Sequence, residues 1–99
     1  MRLFKKLGRK LGYLHEETVE HIHDAYLFSL EAHRGQKRRT GEAYITHPVA
    51  GACILAEMKM DDQTIMAALL HDTIEDTSVD KGAIIEKFGD NVANLVDGV

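Results

Sequence analysis

From Glu16 to about His33, apolar residues recur at spacings of three and four: Val19, Ile22, Ala25, Tyr26, Phe28, Leu30 and Ala32, with acids between them. That period predicts one long amphipathic helix. HRGQKRRTGEAYI follows, and Gly35 and Gly41 make it a loop. Thr46, His47 and Pro48 open the next helix, with Thr as a suitable N-cap and Pro as a first-turn residue. It continues through Val49, Ala50, Cys53, Ile54, Leu55 and Met58, and the small residues Ala50, Gly51 and Ala52 suggest a close helix contact.

DDQTIMAALLHDTIED, capped by Asp61 or Asp62, is expected to run as a single helix over 61–76. Its central residues are apolar on every side, which places it in the middle of a bundle. After a turn at Thr77-Ser78, Asp80 to Phe88 predicts another helix, with Ile84, Ile85 and Phe88 on one face and Gly89 as its C-cap. Asp90 to Val96 begins a further one. No strand run, repeat or linker interrupts the pattern, so the fold class is all-α, a bundle of about five helices in one domain over 1–99. Ahead of it, MRLFKKLGRKLGYLHEE interleaves Leu3, Phe4, Leu7 and Leu11 with basic residues. It has neither the apolar stretch of a signal peptide nor that of a membrane span. It is expected to be a solvated helix that packs its Leu/Phe side onto the domain, in preference to one that lies on a membrane surface.

Composition adds limits. The chain has 99 residues with 44% hydrophobic content, enough for one core and too little for two. Its one cysteine, Cys53, excludes a disulfide framework and a thiolate metal site, so a reducing, cytoplasmic setting is expected. The net charge of −4 hides an asymmetry. Arg2, Lys5, Lys6, Arg9 and Lys10 have no acid near them, and HRGQKRR adds Arg34, Lys37, Arg38 and Arg39. From Glu57 onward only Lys59, Lys81 and Lys87 oppose Glu57, Asp61, Asp62, Asp72, Glu75, Asp76, Asp80, Glu86, Asp90 and Asp97. The balance argues against wide nucleic-acid binding and suits a small anionic ligand carried on a metal. Composition alone favours reading HRGQKRR as a plain solvated loop.

The chemistry concentrates in LLHDTIEDT, residues 69–77. At about 100° per residue, His71, Asp72, Glu75 and Asp76 fall within an arc of roughly 140° on an unbroken helix. Three carboxylates so close repel one another, and a divalent cation removes that cost. Mixed His/Asp ligation suits Mn²⁺ or Fe²⁺ better than Ca²⁺. An HD dipeptide alone is weak evidence; AALL before it and a second acidic pair after it strengthen the case. His47, just before a helix-opening proline, completes a site if the two helix ends pack together. Of the other histidines, His21 and His23 lie on nearly opposite faces of a helix and cannot share a metal. His33 is expected to cap or pack, His15 to be exposed, and Tyr44 to pack beneath the basic loop.

AHRGQKRRTGEAYITHP, VAGACILAEMKMDDQTIMAALLHDTIEDT and FGDNVANLVDGV, in that order, resemble the N-terminal HD hydrolase domain of the RelA/SpoT-type bifunctional alarmone synthetase/hydrolases, the SpoT branch most closely. The match runs from about Leu14 to Val99. The resemblance implies Mn²⁺-dependent hydrolysis of the 3′-pyrophosphate of (p)ppGpp to GDP or GTP and pyrophosphate. It implies His47, His71 and Asp72 as metal ligands, Glu75 and Asp76 as the catalytic pair, and Arg38, Arg39 and Thr40 as substrate-binding residues. Those roles agree with elementary chemistry. A divalent cation acidifies a water and screens the phosphoryl charge, Glu75 and Asp76 lie one turn beyond the ligands, and arginines fork onto phosphate oxygens.

Two departures stand out. Ala43 replaces the family's usual proline, which removes a fixed φ from the loop. The sequence also stops at Val99, before the helices from which the family draws a further aspartate ligand and an asparagine-bearing nucleotide wall. The expectation is therefore a weak metal site, little hydrolysis by these 99 residues alone, and apolar faces open to a homodimer. Another HD-type nucleotide phosphohydrolase and a non-catalytic helical fragment remain the alternatives.

Overall fold

In the computed structural model, residues 2–37, 41 and 43–97 are described, without the side chains of residues 2, 3 and 76. Seven helical segments follow one another: α1 (Arg2–Lys10), α2 (Glu16–Ala32), α3 (Thr46–Glu57), α4 (Asp62–Leu70), the single turn α5 (Thr73–Asp76), α6 (Lys81–Phe88) and α7 (Asp90–Asp97). The only pairing outside them among the described residues is an isolated antiparallel bridge between Lys37 and Ala43. The all-α expectation holds.

α4 is the axis. Ile65, Met66, Ala67, Leu69 and Leu70 are buried on several sides of it, and it packs against α2, α3 and α7. Each of its Ile, Met and Leu side chains taken fully out of water contributes about 1.5–3 kcal/mol, so this helix cannot slide or rotate cheaply. α2 meets it with Ile22, Ala25, Tyr26 and Ser29, a stripe at spacings of three and four. Leu30, counted among the apolar positions of that period, is on the outer side and 38% exposed.

On α3 the small-residue expectation shifts by one helical face. Ala50 is exposed and nothing lies within 4 Å of a Cβ built on Gly51. The buried small residues are Ala52 and Ala56, one turn apart, while Ile54 and Met58 face outward. The basic N-terminal segment does pack its apolar side inward. Leu7 and Leu11 are fully buried, and Phe4 sits 4.4 Å from the His23 ring and 5.3 Å from Tyr26, centroid to centroid. Lys10 Nζ lies 2.7 Å from Glu57 Oε1, and the Tyr13 hydroxyl donates to the Met60 carbonyl at 2.6 Å, so the end of α1 and the turn after it are tied to the end of α3.

Caps explain several boundaries. The Asp80 carboxylate accepts from the Ala83 N–H at 2.9 Å, and Gly89 ends α6 at φ +93°, ψ 166°, a backbone region that is essentially glycine-only. Asp61 stands at the N-cap of α4 and takes the Thr64 hydroxyl on its carboxylate. Thr46 differs from expectation. It is the first residue of α3, and its hydroxyl donates to the Ala43 carbonyl at 2.7 Å instead of accepting a helix N–H.

Burial raises the pKa of the Tyr26 phenol and the Cys53 thiol, and it raises that of Tyr13 with help from Asp61 and Asp62. Each group keeps its proton in the folded chain at a pH where the unfolded chain has lost it. Stability is therefore fully present below the ordinary values of 9.0 for Cys and 10.0 for Tyr and falls as pH rises through them. Urea unfolding at neutral pH and above pH 10 should show that fall. Tyr26→Phe, which keeps the ring against Phe4 and His23, should make it shallower; an unchanged alkaline slope would refute the assignment to Tyr26.

Candidate metal centre

The helix expected over 61–76 breaks in its middle. His71 and Asp72 stay right-handed, at φ/ψ of −60/−29° and −92/−5°, but form a turn between α4 and α5. Side chains cause the bend. His71 Nδ1 donates to the Ala68 carbonyl at 2.8 Å and Thr73 Oγ1, fully buried, donates to Leu70 at 2.7 Å. A side chain that bonds a carbonyl three residues back competes with the helix ladder and bends it.

That bend sets the chemistry of His71. A carbonyl oxygen can only accept, so the proton is on Nδ1, and Nε2 offers its lone pair outward. Nε2 lies 3.1 Å from Asp72 Oδ1. His47, in the first turn of α3, brings its own Nε2 to 3.9 Å from Asp72 Oδ2. One ligand atom from each of His47, His71 and Asp72 lies within 4.8 Å of the others. Two atoms bound about 2.1 Å from a common ion are about 3–4 Å apart, so the spread of this triad is close to that of a formed site. Two imidazole nitrogens and one carboxylate oxygen fit a borderline first-row divalent cation. The exposures run from 15% for the Asp72 side chain through 28% for His71 to 47% for His47.

Glu75 is exposed on α5 and shares with His71 and Asp72 a cleft of about 180 Å³ completed by Ile74, Val96 and Asp97. The single arc drawn on an unbroken helix is thus replaced by a turn and a short helix that still bring these three residues to one cleft. The Asp76 side chain lies outside the described residues, as do Arg38, Arg39 and Thr40. The base of the basic loop is described: Lys37 bridges Ala43, and the Tyr44 N–H donates to the Gln36 carbonyl at 3.2 Å.

Two neighbours, Tyr44 and Asp97, were not foreseen in these roles, and a third, His33, was expected to cap or pack. Tyr44 donates its hydroxyl to Asp72 Oδ2 at 3.0 Å, and its ring stacks on His33 with centroids 4.4 Å apart and planes 17° from parallel. Asp97, in the last turn of α7, lines the cleft and lies 3.2 Å from Lys81 Nζ. His33 both packs, 3% exposed, and caps α2 through its backbone N–H. For Asp97 the one sequence signal is its place beside buried Val96; for Tyr44 there is none, because only the fold brings it to Asp72. A larger hollow of about 610 Å³ between α2 and α6 is lined by none of the expected site residues.

A family model described as an HD domain matches residues 25–99. The chain belongs to the HD domain family. It is 53% identical over 100 residues to the bifunctional (p)ppGpp synthase/hydrolase SpoT of Escherichia coli strain K12, covering all of this chain and 14% of that protein. It is 53% identical over 90 residues to the guanosine-3′,5′-bis(diphosphate) 3′-pyrophosphohydrolase of Aquifex aeolicus, covering 91% of this chain and 13% of that one. With a GTP pyrophosphokinase of Myxococcus xanthus it shares 46% over 87 residues, 88% of this chain and 12% of the relative. The chain therefore spans about one seventh or less of the length of these relatives. The all-α bundle agrees with that family, and no described helix is long and apolar enough to cross a membrane.

Metal should stabilise this HD domain. Free cation at about a hundred times Kd stabilises by about 2.7 kcal/mol. Thermal unfolding with and without Mn²⁺ should show the rise in Tm for the native chain and its loss in His71→Ala. An equal rise in the variant would remove His71 from the ligand set.

Proposed function

We propose that this HD domain carries the metal-holding half of a site that hydrolyses the 3′-pyrophosphate of guanosine tetra- and pentaphosphate, releasing pyrophosphate and GDP or GTP. The observation that carries the proposal is the convergence of His47, His71 and Asp72, with Glu75 in the same cleft, in a chain 53% identical over its whole length to a relative named for (p)ppGpp hydrolysis. Relatives with this stretch are also named GTP pyrophosphokinase, so the hydrolytic reading rests on the triad more than on the names.

His47, His71 and Asp72 would hold the cation, Mn²⁺ in this proposal. When bound, it supplies acidification of a water and screening of the phosphoryl charge. Glu75 and Asp76 take the proton work, orienting the attacking water and accepting its proton as the ester bond to the 3′ oxygen breaks. Glu75 supports this role by lining the cleft with two of the ligands. Arg38, Arg39 and Thr40 bind the nucleotide, the guanidinium groups forking onto phosphate oxygens or stacking on the base. The buried free thiol of Cys53 fits a cytoplasmic setting.

Release of pyrophosphate from ppGpp with Mn²⁺ tests the reading, in these 99 residues and in a chain extended to the length of the relatives. The extended chain should turn over much faster. Glu75→Gln and Asp76→Asn should each lower its rate by about 10²–10⁴-fold while the metal-induced rise in Tm persists. Turnover of deoxynucleoside triphosphates or cyclic dinucleotides in place of ppGpp would overturn the substrate assignment. Equal rates for the short and extended chains would overturn the claim that the site is half built. The exposed Ile54, Met58 and Leu95 support self-association as part of the same proposal, and a monomer at all concentrations in sedimentation would remove it.

A further inference from the structure

Asp72 is held at one oxygen and faces a fellow member of the triad at the other. His71 Nε2 lies 3.1 Å from Oδ1, and Tyr44 donates its hydroxyl to Oδ2 at 3.0 Å from 28 positions away in the chain. The tyrosine is itself fixed. Its ring lies flat against His33, which is 3% exposed and donates from Nδ1 to Gln36 Oε1 at 3.1 Å. Its backbone N–H meets the Gln36 carbonyl at 3.2 Å, closing the base of the loop at 37–43. One residue thus carries a bond that closes the basic loop and a bond that orients a carboxylate of the metal triad.

We propose that Tyr44 is a positioning residue that clamps Asp72 in its ligand orientation and ties the backbone pairing of Gln36 and Lys37 with Ala43 and Tyr44 to occupancy of the metal centre. The inference rests on the triad being a metal site. A hydroxyl donated to a carboxylate fixes its plane and engages one oxygen, which restricts how the group can reach an ion. Removing such an outer partner of a ligand typically costs 10–100-fold in metal affinity. Coupling is reciprocal: if the Tyr44–Asp72 bond favours the ion, the ion favours that bond by the same factor, and with it the loop base that Tyr44 closes. His33 supplies the rigidity, because a stacked ring cannot swing its hydroxyl away without losing the stack.

Two measurements on the native chain and Tyr44→Phe test this. The phenylalanine ring keeps the stack on His33 and deletes only the hydroxyl, so circular dichroism and the metal-free Tm should be close to native. Titration of Mn²⁺ alone, followed by the electron paramagnetic resonance signal of the free ion, should give a Kd about 10-fold or more higher for the variant. Hydrogen exchange read by mass spectrometry should slow across residues 36–45 on adding Mn²⁺ to the native chain, and not in Tyr44→Phe at matched occupancy. Equal Mn²⁺ affinity in the two chains, or equal slowing of the loop, overturns this inference alone. Uptake of Mn²⁺ by neither chain overturns the metal reading and this inference with it.

Discussion

The hydrogen bond from His71 Nδ1 to the Ala68 carbonyl governs the rest of the site. A helix end leaves its last carbonyls without donors, and a buried one must find them. α4 cannot escape the demand by moving, since Ile65, Leu69 and Leu70 are fully buried against its neighbours. The chain meets it with side chains of the residues just beyond: His71 takes Ala68 and Thr73 takes Leu70. The bond that completes the helix also selects the imidazole tautomer and aims Nε2 at Asp72. Structural satisfaction and the orientation of Nε2 are one event, and core packing thereby fixes the direction of a candidate metal ligand.

Non-local packing supplies the rest. α1 lies against α3, with Leu7 and Leu11 buried, and α3 lies against α4, which puts the first turn of α3 and its His47 over the break at His71-Asp72. α7 packs on α4 from another side and brings Asp97 to the cleft. The loop between α2 and α3 returns through Tyr44, which reaches Asp72 while stacked on the end of α2. Segments distant in the chain thus meet around a two-residue turn.

What could be read from sequence follows that division between local and non-local causes. The starts of α2 and α6, the stop at Gly89 and the all-round apolar middle of α4 rest on short-range signals and are found within a residue of where they were expected. So are the inward leucines of α1, because a period of three and four is written in the chain itself. The break at His71 was not legible. Propensity and period continue through Asp76, and the competing bonds depend on a buried threonine and a histidine whose orientation the pattern does not encode. The Thr46 hydroxyl is a similar case: the residue type suits an N-cap, yet it stands one position inside the helix and its hydroxyl donates to the Ala43 carbonyl. His47, His71 and Asp72 could be named because their residue types carry the chemistry. Tyr44 and Asp97 could not, because each has an adequate bland role until the fold places it. Arg38, Arg39 and Thr40 rest on the resemblance alone.

The electrostatics of the cleft explain why a cation and the basic loop belong together. Asp72, Glu75 and Asp97 line one small space, and only Asp97 has a cationic side chain, Lys81, within ion-pair distance among the described residues. Like charges about 4 Å apart repel by about 1 kcal/mol in water and about 4 kcal/mol at the effective dielectric near a protein surface. A polyphosphate brought into that cleft would meet this repulsion several times over. Under the proposed function a divalent ion on the triad would reverse the sign of the innermost wall, and the arginines assigned to the substrate would add positive charge. The acidity of the cleft therefore opposes a free anion, so the proposed function requires that its anion arrive together with metal.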